Sequence, residues 1–192
     1  MTDMKSLLLA TALGLVAGAA SANDFEPSMR YYTENEVLVW TSDPVLIDAI
    51  RKQNRRHAEL SDADITALDR RWQAEVNAES RPTIDGVLSN PASDFLRDRQ
   101  AASAGVISEV FVMDNRGLNV AASDATSDYW QGDEAKFNET YGMPAGTMHV
   151  SDVEFDESAK SYLGQVSLPI IDPDTGQSIG AITVGLNAEM LF

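Results

Sequence analysis

Two periods divide the chain. From about Glu26 to Arg99 apolar residues recur at helical spacing, and from Val106 onward they alternate or run consecutively, as in strands. Asp43-Pro44 is a helix-start signal, with Ser42 or Asp43 able to cap and Val45, Ala49 and Ile50 on one face up to Asn54. Ser61-Asp62-Ala63-Asp64 reads as a capping box ahead of Ile65, Leu68, Trp72 and Val76. A shorter helix is expected from Pro91, carrying Phe95 and Leu96, and a loop around Arg81-Pro82-Thr83.

In the second half, Val106 to Met113 is β-branched and aromatic, Asp114-Asn115-Arg116-Gly117 is a turn, and Leu118 to Ser123 returns as its hairpin partner. Further strands are predicted over about 148–156, 161–171 and 178–187, the last two joined by Asp172-Pro173-Asp174-Thr175-Gly176. Val110 to Met113 and Ala181 to Val184 are apolar at consecutive positions, so both faces of those strands need cover. The economical arrangement is an α/β (α+β) domain with a five-stranded antiparallel sheet whose first and last strands are central neighbours. The N-terminal helices would pack on one face. Residues 124–147 would cross the other, as a lid over a pocket, since connections of that length are uncommon without a function.

The first residues bear on compartment. Lys5 precedes an uncharged run, Ser6 to Ala19, and then Ala20-Ser21-Ala22, the pattern of a cleavable secretory signal over residues 1–22. The mature chain is expected to be exported, periplasmic or secreted, with a helical segment 23–105 and a sheet segment 106–192. No later run is long and apolar enough to insert in a membrane. The chain has no cysteine, which excludes disulfides, thiolate metal sites and thiol catalysis.

The formal net charge of −16 makes nucleic acid and anionic membrane surfaces improbable partners. Beyond residue 106 the only bases are Arg116, Lys136 and Lys160. The short basic run Arg51 to Arg56 is accounted for by a helix C-terminus complementing its dipole. The acids of Asp152 to Glu157 alternate with Val153 and Phe155, the pattern of a solvated strand face, and no loop matches an EF-hand. His57 and His149 are far apart in sequence, and no nucleophile elbow or phosphate loop occurs. Catalytic, metal and cofactor sites are therefore not expected.

The segment "SDYWQGDEAKF", residues 127–137, sets aromatics among carboxylates and amides inside the expected lid. Tyr129, Trp130, Phe137 and Tyr141 can wall a pocket, with Asp128 and Asp133 supplying charge, a combination that favours a cationic or zwitterionic ligand. The bland alternative is that these aromatics only pin the lid to the sheet.

A helical first half, "EVFVMDNRGLNVAASDATSDYWQGDEAKF" and "GQVSLPIIDPDTGQSIGAITVGLN" together resemble the Cache family of extracytoplasmic PAS-like sensor domains. The resemblance implies a small-metabolite pocket between sheet and covering loops, for an amine, amino acid or short carboxylate. It also allows a homodimer through the N-terminal helices and a membrane receptor partner. Because Phe192 follows the last strand directly, the expected form is a free exported domain for sensing or ligand presentation. The rival expectation is a ligand-free interaction or dimerisation module.

Overall fold

The computed structural model describes residues 24–157 and 159–192; the signal predicted for residues 1–22 lies outside the described residues. Helix α1 (Glu26–Tyr32) runs through a π-helical turn (Thr33–Val37) and a 3-10 turn (Leu38–Trp40) into α2 (Pro44–Arg56). Then come α3 (Asp62–Glu75), α4 (Pro82–Leu88) and α5 (Pro91–Ala102). The expected caps form. The Asp43 carboxylate accepts from the Val45 amide at 3.0 Å, and Ser61 and Asp64 make the reciprocal capping box that starts α3.

The expected loop at Pro82 is instead the first turn of α4. Proline there is pre-set for a helix start rather than acting as a breaker. The cap comes from a distance, since Glu75 at the end of α3 accepts the amides of Thr83 at 2.7 Å and Ile84 at 3.1 Å. Burial raises the Glu75 pKa, but the Thr83 hydroxyl and these two amides outweigh it and leave the carboxyl below its usual value.

The sheet comprises β1 (Ile107–Met113), β2 (Asn119–Ala122), β3 (His149–Val150), β4 (Glu154–Asp156), β5 (Ser161–Ile171) and β6 (Ser178–Asn187). Its order is β2-β1-β6-β5-β3, with β4 also on β5, and every pairing is antiparallel. First and last strands are central neighbours, as expected for a PAS-like sheet. The single strand expected over 148–156 is two short strands, because regular pairing lapses between Val150 and Glu154, although the Ser151 amide still donates to the Gln165 carbonyl.

One face of the sheet packs Val110, Val112, Leu168, Ile182 and Val184 against α1, α2 and α5, including Met29, Ile50 and Leu96. On the other face Phe111, Met113 and Ala181 are covered by Phe137 of the short helix α6 (Ala135–Asn138). Both faces of β1 and β6 are therefore closed. A third cluster joins α3 and α4 to the edge of the sheet through Ile65, Trp72, Ile84, Val87, Leu118 and Tyr129.

The basic run of α2 fastens this helix to two sheet turns. Arg51 binds Asp172 and Asp174 of the β5–β6 hairpin, and Asn54 donates to the Ile179 carbonyl and accepts from the Asn115 amide. The Arg51 guanidinium holds the Asp172 carboxyl down at about 2.

Candidate functional site

The Asp114-x-x-Gly117 turn is the hub from which the site is built. Asp114 is fully buried, yet both its oxygens are saturated. One accepts the amides of Arg116 (2.8 Å) and Leu118 (3.0 Å), the other Gln53 Nε2 (3.0 Å) and His57 Nδ1 (2.8 Å). Gly117 has φ +79°, and a Cβ there would lie 2.6 Å from the backbone of Gly132, so glycine lets the turn meet the following segment.

That segment runs antiparallel beside β2: the Asn119 amide donates to the Tyr129 carbonyl and the Gln131 amide to the Gly117 carbonyl. Asp69 of α3 accepts the amides of Tyr129 (2.9 Å) and Trp130 (3.0 Å) through one oxygen. The chain is thus drawn back to α3 before crossing the sheet at α6.

The sequence-predicted site residues fall into two groups. Tyr129 stacks on the buried Trp72 at 5.2 Å, while Trp130 donates its indole N–H to the Arg116 carbonyl at 2.8 Å. The Asp128 carboxylate accepts from Gln73 and Ser127. On the far face Phe137 and Tyr141 stack on each other at 4.9 Å, Phe137 fills the space above Phe111 and Met113, and the Lys136 ammonium lies over the Phe111 ring. Asp133 is exposed. Gln165 and Ser167 also face this side, where Gln165 donates to Glu109 and Ser167 meets Thr183. The six residues are not brought together around one cavity.

Tyr129 reaches a different space. A cleft of about 570 Å³ opens between α2 and α4, on the helical side of the sheet. Val45, Asp48, Ala49, Lys52, Gln53 and Arg56 form its α2 wall, one helical face at i, i+3, i+4, i+7, i+8 and i+11. Thr83, Gly86 and Val87 form the α4 wall; Asn90, Pro91 and Ala92 at the start of α5 close one end, and Val120 and Tyr129 make the floor.

Tyr129 is only 4% exposed, and among the described residues nothing hydrogen-bonds its hydroxyl. The hydroxyl is not itself enclosed: among the described residues Asn119 Oδ1 is the one fully buried side-chain polar atom without a partner, so the Tyr129 hydroxyl opens onto the cleft. Burial, then the nearby Asp114 carboxylate, push this hydroxyl up to about 12 against the opposing charge of Arg56. It is therefore a neutral donor at ordinary pH, at the end of the cleft where Gln53 and Arg56 lie. Periodicity could have found the α2 wall, but its α4 partner was hidden by the proline.

Among the described residues no group of three or more His, Cys, Asp or Glu gathers as a metal site, and no helix is long and apolar enough to cross a membrane. No family model matches the chain, and no curated protein does. Solved structures do match. The sensor domain of the V. cholerae histidine kinase DctB shares 11% identity over 87% of this chain and 53% of that one, with a TM-score of 0.45. The sensory domain of the Campylobacter jejuni chemoreceptor Tlp3 (CcmL), solved with isoleucine bound, shares 13% identity over 87% of this chain and 64% of that one, with a TM-score of 0.38. The chain spans between half and two thirds of the length of these solved chains. Likeness at this level speaks to neither ligand nor partner. These two similar chains are sensor domains of a histidine kinase and a chemoreceptor.

Proposed function

We propose that the chain is an exported, PAS-like domain that binds a small metabolite, for sensing or for presentation to a partner, and that the ligand enters the cleft between α2 and α4. The observation that carries this reading is the Tyr129 hydroxyl, neutral, without a protein partner among the described residues and open to the cleft at the floor of a lining that mixes apolar and polar side chains. A ligand acceptor there would not have to displace a bond within the protein. In this reading Tyr129 touches the ligand. Asp128, Trp130, Asp133, Phe137 and Tyr141 belong to the segment that presents it, so ligand occupancy is passed to the surface of residues 124–147.

The test is thermal melting of the protein against amino acids, amines and short carboxylates, followed by titration of each hit. A true ligand raises the melting temperature by mass action. Tyr129→Phe should then weaken binding about tenfold while leaving the ring stack on Trp72 intact. Unchanged affinity in that variant, or flat melting across the panel, overturns the proposal.

One observation favours a second reading as an interaction module. Phe155, Tyr162 and Phe192 are exposed and form ring contacts among themselves and with Phe25 at the end of the molecule where both described termini meet. A stable dimer lost on Tyr162→Ser, together with flat melting, would favour it.

A further inference from the structure

In this acidic chain seven of the thirteen described Lys and Arg side chains have a carboxylate partner, namely Arg30, Arg51, Arg81, Arg97, Arg116, Lys136 and Lys160. Of the six without such an ion pair among the described residues, Arg55, Arg70, Arg71 and Arg99 lie elsewhere, while Lys52 and Arg56 line the cleft, one turn apart on its rim. Arg56 bonds instead to the Gln53 side-chain carbonyl at 2.9 Å. The N-terminal end of the twelve-residue α5 adds partial positive charge at the same cleft. Asp48, at the other end of the α2 face, is the one carboxylate among the described lining residues. The lining thus carries two bases to one carboxylate, against the acidic balance of the whole chain, with the hydrogen-bonded Asp114 carboxylate behind the Tyr129 floor.

The α4 wall carries a second signal. Gly86 sits inside a helix, where glycine is about 1 kcal/mol worse than alanine. Its backbone needs no glycine, since its φ is not positive, and a Cβ there would meet nothing within 4 Å. The position is small without being crowded by the protein itself, and it lines the cleft that Ala49 also lines from the α2 side.

We infer that the cleft selects anions with a slender apolar body, the negative group meeting Lys52, Arg56 and the Tyr129 hydroxyl and the body lying between Ala49 and Gly86. The inference rests on the cleft being the binding site. It departs from the cationic preference that the acids of residues 127–137 suggest, because those acids do not line this cleft.

The probes are hexanoate, hexanamide and hexylamine, titrated into the full-length protein at matched concentrations up to about 10 mM, high enough to register millimolar binding. Hexanoate should bind at least about tenfold tighter than hexylamine, with hexanamide between them. Lys52→Met and Arg56→Met, both at exposed positions, should each weaken hexanoate about tenfold and leave hexanamide unchanged. Gly86→Leu should abolish hexanoate binding while the empty variant stays folded. Hexylamine binding as tight as hexanoate, and still lost in Gly86→Leu, overturns the charge preference and leaves the cleft as the site. Binding that survives both Gly86→Leu and Tyr129→Phe overturns the cleft itself. Silence with all three probes overturns the anion inference, and the broader metabolite panel then decides the cleft reading separately.

Discussion

Tyr129 is fixed at its ring and free at its tip. The stack on Trp72 and the Asp69 contact to its amide hold the side chain without using the hydroxyl. Tyr129→Phe should therefore leave stability within about 0.5 kcal/mol of the parent, since the hydroxyl makes no bond within the protein that the variant would lose. A fall of several kcal/mol on chemical denaturation would mean that the hydroxyl has a structural bond in solution. Gly86→Ala gives the complementary signature: it should stabilise the empty protein by about 0.5–1 kcal/mol through helix propensity alone, seen as a higher melting temperature. Asp172 supplies a pH dependence. Its carboxyl titrates at about 2 when folded, held there by Arg51, and near 4 when unfolded. Its contribution is complete above pH of about 4 and is lost as pH falls through about 2. Melting followed from about pH 5 to about pH 2 should show this loss, and Arg51→Gln should flatten it.

At the scale of elements, α4 is the part most dependent on a remote contact. Its seven residues are too short to hold a helix alone, and its first amides are satisfied by Glu75 across a turn. Glu75→Ala should cost about 2 kcal/mol and raise hydrogen exchange in α4 more than in α2 or α5. Equal protection in parent and variant would contradict that role. The same contact explains a limit of the sequence. Pro82 signals a break and also a helix start, and the deciding partner, Glu75, matches no local cap pattern. Elements whose signals are local were legible: the Ser61–Asp64 box, the Asp114-to-Gly117 turn and the hairpin at Asp172. Length and composition suggested that residues 124–147 cover the sheet, but their route carried no sequence signal, because Asp69 turns Tyr129 and Trp130 toward α3 by accepting backbone amides, which leave no trace in side-chain pattern. Phe137 and Tyr141 do reach the sheet, where they fill the space that was expected to stay open.

For the whole molecule, the helices, the sheet and the crossing segment meet at the buried Asp114. Gln53, which lines the cleft, donates to Asp114 and to the Asn119 carbonyl; Asn119 in turn donates to the Asp128 carbonyl. The cleft wall at Gln53 is therefore joined through Asn119, by two hydrogen bonds, to the segment that presents Tyr129. The net charge of −16 describes the surface and misdescribes the cleft, since charge counts carry no information on which bases lack partners. The central claim, that the ligand lies between α2 and α4, is tested most directly by hydrogen exchange with and without a saturating hit from the metabolite panel. New protection is expected along α2 and α4 and at Tyr129–Gln131. Protection confined to residues 135–147 and the facing strands β1 and β6, with α2 and α4 unchanged, would contradict it.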